Sequence, residues 1–384
     1  MMAERDYDVL LFGATGFTGG LTAKYLAEHV PEGCRWALAG RNQGKLEALR
    51  DELGIEVPLL HADVSDPSSL RDVAAATRVV ATTVGPYLKY GEPLVAACAE
   101  AGTHYVDLTG EPEFVDLMYL RYHATAQRTG ARLVHACGFD SIPYDLGVLF
   151  TVEQLPEGVP LQVEAFVRVG GEFSGGTYHS AINAFSRLRE ASKVARERRQ
   201  AEPRPSGRRV GSVKRGLHHA DAVDRWALPL PTIDPQVVRR SAAALDRYGP
   251  RFTYGHYGAM KLTTALGLVG GAGALAAAAQ VPPLRNWLLG RKQPGEGPSP
   301  ERRSRSWFTV TFVGTGGGQR VKTKVSGGDP GYDETAKMLS ESALCLAYDE
   351  LPDTSGQLTP AVAMGDALIA RLRTAGIKFE ILES

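Results

Sequence analysis

The 384-residue chain is poor in cysteine, and no two of Cys34, Cys98, Cys137 and Cys345 are spaced C-x-x-C. That argues against a disulfide framework and against a metal site of the usual ligand spacing; no metal is expected, and the thiols are read as reduced. An excess of one charge is missing too. Lys and Arg number 43 and so do Asp and Glu, so nucleic-acid binding driven by bulk charge is not expected. The opening residues, MMAERD, are charged and run almost at once into a strand-like segment, so no secretory signal is read and the cytoplasm is the expected compartment. No internal repeat is present. The length is enough for two or three domains.

The stretch that organises the chain is 7–20, YDVLLFGATGFTGG. Val9-Leu10-Leu11-Phe12 is wholly apolar, as suits a parallel strand covered on both faces. Gly13, Gly16 and Gly19 follow at three-residue steps, and 21–29 reads as a helix. Strand, glycine turn and helix make a dinucleotide-binding arrangement, here spaced G-x-x-G-x-x-G rather than G-x-G-x-x-G. Thr15, Phe17 and Thr18 lie in the same turn. The free N–H groups at the helix start would meet a pyrophosphate, which the helix dipole also favours.

A second absence then matters. The next strand, Trp36-Ala37-Leu38-Ala39, ends in Gly40-Arg41-Asn42, with no Asp or Glu to hold a ribose 2′-hydroxyl. Arg41 can instead pair with a 2′-phosphate and stack on adenine, which favours NADP; the alternative is a solvated arginine. A third strand ends at Asp63, which either accepts from the adenine amino group or caps the next helix. Strands at 78–84, 104–107 and 132–136 alternate with helices at 93–101 and 114–129. The expectation is a Rossmann-type doubly wound parallel sheet over residues 1–140.

Past Cys137-Gly138-Phe139-Asp140-Ser141 the pattern changes. Alternation at 162–169, 252–257 and 307–313, with a glycine turn at 316–318 before 320–325, predicts a second α+β domain, 141–330, on a largely antiparallel sheet. Two segments interrupt it. Residues 187–215 carry eleven Lys or Arg, and residues 262–281 carry no charge. Arg285, Arg291 and Lys292 follow, and then a Pro- and Gly-containing linker, 293–300. Residues 331–384 read as helices packing beside the first domain, one of them capped by Thr359 with Pro360 at its first position.

Several stretches together resemble a known family: GATGFTG, ALAGR, VGPYLKYGEPLVAACAEAGTHYVDLTGE, CGFDSIPYD, GDPGYDETAKMLSESALCLA and LTPAVAMGDALIARL. They resemble the saccharopine-dehydrogenase-like oxidoreductases, and within them the actinobacterial trans-acting enoyl reductases of phthiocerol and phenolphthiocerol lipid synthesis. The resemblance implies NADPH and reduction of a carbon–carbon double bond in a polyketide-derived lipid. It names no catalytic residue.

Enoyl reduction needs a hydride donor, a group that stabilises the enolate and a proton source. Tyr87 is one candidate, with Lys89 to lower its pKa; Tyr90 leaves the same strand. Packing of the tyrosines is the alternative. Gly85 and Pro86 precede them and are expected to border the cofactor. Asp140 and Ser141 could orient substrate or carboxamide, or cap the turn before Leu146. Glu111 and His179 have lesser claims. The expected partners are a small-molecule or carrier-bound lipid substrate, an acyl carrier protein facing 187–215, or an anionic membrane surface facing 262–281. Two other readings stay open, a saccharopine-type imine or amino-acid dehydrogenase and a non-catalytic NADPH-binding membrane-associated protein.

Overall fold

A computed structural model describes residues 5–170, 187–203, 206–279 and 297–382. Within it the chain forms two compact units. The first comprises Met1–Phe139, Gly295–Gly297 and Gly331–Arg371, and the second Asp140–Pro294, Pro298–Pro330 and Leu372–Ser384. His179, Arg285, Arg291 and Lys292 lie outside the described residues.

The first unit is a seven-stranded parallel sheet flanked by helices. Its strands are β1 (Tyr7–Phe12), β2 (Trp36–Gly40), β3 (Leu59–His61), β4 (Thr77–Thr82), β5 (His104–Asp107), β6 (Arg132–Val134) and β14 (Gly356–Leu358). Their order is β14-β6-β5-β4-β1-β2-β3. Val9, Leu10 and Leu11 are fully buried, as an apolar strand between helical layers must be. The helices between them are α1 (Phe17–His29), α2 (Gln43–Leu53), α3 (Pro67–Ala76), α4 (Tyr87–Tyr90), α5 (Glu92–Ala101) and α6 (Pro112–Thr129). Strand β14 was not visible in the sequence. It comes from far down the chain and pairs Gly356–Leu358 with Arg132–Val134, covering an edge that β6 would otherwise expose.

The second unit starts with α7 (Ile142–Val152), which packs on a mixed eight-stranded sheet. The order is β15-β13-β12-β7-β11-β10-β9, with β8 also on β11. The ranges are β7 Leu161–Gly170, β8 Arg209–Ser212, β9 His218–Ala220, β10 Arg225–Pro229, β11 Arg251–Met260, β12 Trp307–Gly316, β13 Gln319–Gly327 and β15 Lys378–Leu382. Most pairings are antiparallel, but β7–β11 and β8–β11 are parallel. The β12–β13 hairpin turns at Gly317-Gly318, where both φ angles are positive. Its further helices among the described residues are α8 (Leu188–Ala201), α9 (Asp234–Ala244), α10 (Leu262–Ala279) and α11 (Pro300–Arg303).

Two expectations are corrected. The tail 331–384 is divided: Gly331–Arg371 belongs to the first unit, as expected, and Leu372–Ser384 to the second. Helices α12 (Asp333–Tyr348), α13 (Pro360–Ala363) and α14 (Gly365–Thr374) begin in the first unit, but β15 joins the second sheet beside β13. The helix expected after Thr359 is broken, because Met364 leaves helical geometry and Gly365 has φ +43°. The basic segment is an ordered helix followed by a strand, and part of its charge is internal. Arg198 is buried beside Glu202, and Arg208 donates to Ala243 O at the end of α9.

Candidate active site

The glycine turn is built for close approach. Gly13 sits at φ +93°, a region costly for any residue with a Cβ. A Cβ on Gly19 would lie 2.1 Å from Gly13 O, so α1 can begin against the turn only with glycine there. Gly16 is the N-cap of α1. No side chain caps the helix, and its first turn holds no acid. Thr15 and Gly16 are exposed and Phe17 and Thr18 half-buried. The result is a helix start with no side-chain cap and no carboxylate in its first turn, which fits a pyrophosphate.

Arg41 follows β2 and is exposed. The next residue, Asn42, accepts from Lys45 N at 3.0 Å and caps α2, so the backbone beside Arg41 is anchored. Asp63 does not cap the following helix. Its Oδ1 accepts from Ser65 N and Ser65 Oγ at 2.9 and 2.8 Å, while Asp66 takes the cap by accepting from Ser68 N. Those hydrogen bonds from Ser65 hold the Asp63 carboxyl below its usual range, and the Arg41 charge adds to the effect. Asp63 therefore stands ionised within the field of Arg41, and the adenine-side role remains open to it.

At the carboxyl ends of β4, β5 and β6 the structure brings together a network that the sequence did not single out. Asp107 is fully buried and accepts from Thr109 N, Ala136 N, Tyr105 Oη and His135 Nδ1 at 2.7–3.0 Å. Ala136 is held at φ +60°, and Cys137 N donates to Asp107 O. Phe139 N donates to Thr335 Oγ1 at 3.1 Å. The chain leaving β6 is thus fixed residue by residue up to Phe139.

Tyr87 belongs to this framework, and the role expected for it does not survive. Its hydroxyl donates to Thr82 O at 3.1 Å and accepts from Leu108 N at 3.1 Å, tying β4 to the end of β5. Burial, with the Asp107 charge, pushes its pKa far up, the opposite of activation. Lys89 is exposed and stands over the Tyr90 ring, 4.8 Å from its centroid. Glu111 accepts from Tyr87 N and Leu88 N at 3.0 Å and so closes the start of α4; burial raises its pKa. Gly85 and Pro86 are exposed just beyond β4.

In the second unit Asp140 and Ser141 precede α7. The backbone oxygen of Ser141 accepts from Tyr144 N and Asp145 N, so the cap is made by the main chain. The Ser141 hydroxyl is buried with no hydrogen-bond partner among the described residues. Asp140 is half-buried, and desolvation lifts its carboxyl to about 6. Beneath α7 lies a buried polar layer. Ser241 Oγ donates to Asp145 Oδ1 at 2.6 Å, and Tyr254 Oη meets His256 Nδ1 at 3.0 Å. His256 Nε2 lies 3.6 Å from Asp234 Oδ2. No sequence signal linked these residues, which come from α7, α9 and β11.

Comparison with known proteins agrees with the glycine-turn reading. The family model described as "Saccharopine dehydrogenase NADP binding domain" matches residues 9–134. A trans-acting enoyl reductase of Mycobacterium ulcerans is 38% identical over 408 residues, covering 98% of this chain and 97% of the relative. One from Mycobacterium tuberculosis is 39% identical over 420 residues with the same coverage. Among solved structures, apo saccharopine dehydrogenase (L-Glu forming) from Saccharomyces cerevisiae matches with a TM-score of 0.56 at 12% identity, covering 98% of this chain and 99% of that one. At that identity the likeness speaks for the fold alone.

Proposed function

The chain belongs to the trans-acting enoyl reductase family, an NADP-dependent oxidoreductase lineage, and from that membership we propose that it reduces an activated carbon–carbon double bond in a lipid- or polyketide-derived acyl substrate. The observation that carries the reading is the pairing of near-complete family coverage with an open, acid-free helix start behind Gly13 and Gly19. Bound NADPH supplies the hydride. The chain's part is to seat the pyrophosphate on the α1 amides, to meet the 2′-phosphate with Arg41, and to furnish a proton for the α-carbon.

Asp140 is the residue we assign to that proton. It follows β6 at the carboxyl side of the parallel sheet, where open α/β folds receive ligands. Its raised pKa brings it close to the working range of a general acid.

Two surfaces support a lipid setting. Leu266, Leu268 and Val269 on α10 are 58%, 48% and 52% exposed on a helix without a charged residue. Among the described residues no helix is long and apolar enough to cross a membrane. The assignment of α10 is therefore to lie on an anionic lipid surface. Exposed Arg196 and Arg199 on α8 offer a site for an acidic carrier protein.

The test is NADPH oxidation by the purified protein against an enoyl thioester, an imine and a ketone. Turnover with the enoyl thioester supports the assignment. Oxidation only with the imine would move the chain to the amino-acid dehydrogenase reading, and binding without oxidation would remove catalysis altogether.

A further inference from the structure

Ala136 carries a Cβ where glycine is the usual occupant. Its φ is +60° and it is 1% exposed, while the other described residues of the first unit with positive φ are all glycines. The left-handed region is disfavoured for alanine and freely open to glycine, so something outside Ala136 must hold it there.

One residue does so. Ala136 N donates to Asp107 Oδ1 at 2.9 Å, and the next amide, Cys137 N, donates to Asp107 O at 2.6 Å. Two successive amides are thus captured by the side chain and the main chain of the same aspartate. The carboxylate is itself fixed from every side. Oδ1 also accepts from Thr109 N at 3.0 Å, and Oδ2 meets Tyr105 Oη at 2.9 Å and His135 Nδ1 at 2.7 Å. Four donors fill the lone-pair positions of a fully buried carboxylate. His135 Nε2 has no hydrogen-bond partner among the described residues, so the ring enters this network through Nδ1.

We infer that Asp107 is a positioning residue for the reduction: by locking Ala136 in the left-handed conformation it sets the direction in which the chain leaves β6, and with it the place of Asp140. The inference rests on the reading of Asp140 as the proton donor. A glycine at 136 would make the same turn without strain if packing alone mattered. An alanine under this clamp narrows the backbone to one conformation, and strain of that kind persists only where the surroundings over-determine it. The steps that follow are as tight. A Cβ on Gly138 would lie 2.8 Å from Leu108 Cδ2, and Phe139 N is held by Thr335 Oγ1. Because Thr109 N shares Oδ1 with Ala136 N, the exits of β5 and β6 are fixed by one oxygen.

The full-length protein, saturated with NADPH, is assayed with a medium-chain trans-2-enoyl-coenzyme A, and the solvent deuterium isotope effect on kcat is read beside the rate. D107A removes the acceptor of Ala136 N. It is expected to lower kcat by roughly tenfold to a hundredfold, as misplacement by about 1 Å does, with the NADPH dissociation constant within about twofold of wild type. The isotope effect is expected to grow, because proton delivery becomes the slow step. D107A/A136G is expected to regain most of the loss, since glycine takes this φ unaided. D107N is expected to turn over nearly as the wild type. Its side-chain oxygen still accepts from Thr109 N and Ala136 N, and its amide donates to Tyr105 Oη and His135, each of which can accept. Tyr87→Phe leaves these bonds in place and is the control for lost stability alone. Should D107A not fold, A136V asks the same question from the other side. A branched Cβ resists the left-handed region, and the same loss and isotope signature are expected. Wild-type kcat in a folded D107A or in A136V, a D107N as slow as D107A, or a loss that A136G does not relieve would each overturn the positioning role while Asp140 stands. If D140N keeps wild-type turnover, the acid assignment falls, and the positioning role falls with it.

Discussion

Arg41→Ala isolates a single claim about the cofactor. Arg41 is exposed, and Asn42 beside it anchors the backbone through α2, so removing the guanidinium should leave the fold untouched. A hydrogen bond to a charged group is worth about 1.5–3 kcal/mol, which corresponds to roughly tenfold to a hundredfold in affinity. Exposure places the effect near the lower figure at physiological salt, because screening acts over about 8 Å. Asp63 already shares the field of Arg41, so the phosphate competes with a carboxylate for the same charge. The expected result is a loss of about tenfold in NADPH affinity, larger at low salt, with NADH changed by less than about twofold. Asp63→Asn should then leave NADPH binding as tight or tighter. Fluorescence titration of both nucleotides against wild type and variants reads all of this. Equal wild-type affinity for NADPH and NADH would refute the reasoning, and so would equal weakening of both by Arg41→Ala.

Four further outcomes are expected. Asp140→Asn should lower kcat by about a hundredfold or more, as loss of a general acid does, with the NADPH dissociation constant unmoved in a binding titration; full activity would refute the assignment. Tyr87→Phe should keep turnover but cost about 1–3 kcal/mol in denaturant unfolding, because Leu108 N loses its acceptor in the interior; lost turnover with normal stability would return Tyr87 to the chemistry. Gly147→Ala would put a Cβ 2.3 Å from Phe312 Cζ, and Phe312 is fully buried, so about 1–3 kcal/mol of destabilisation is expected in the same assay. Charging Leu266 and Val269 to Glu should abolish co-sedimentation with anionic vesicles while leaving the circular dichroism spectrum unchanged; no sedimentation of the wild type would remove α10 from any lipid surface.

The first unit was legible because its signals are local. A short apolar run, three glycines and a helix start lie within fourteen residues, and each strand end then announces its contents in order, including the missing acid at Arg41. The β12–β13 hairpin was legible for the same reason, since its turn glycines adjoin its strands. What the chain could not show from its order alone were the partners that tertiary structure chose. Tyr87 looked available until Leu108 N and Thr82 O claimed its hydroxyl. Asp107 and His135 lie on different strands, and Asp234 and His256 on a helix and a strand, so neither pair has a spacing to read. Strand β14 finds β6 across more than two hundred residues. Periodicity and turn chemistry act over one or two turns of chain, and they settled which segments form. Burial and hydrogen-bond satisfaction act across the folded interior, and only they decided which hydroxyls and carboxylates remain free to react.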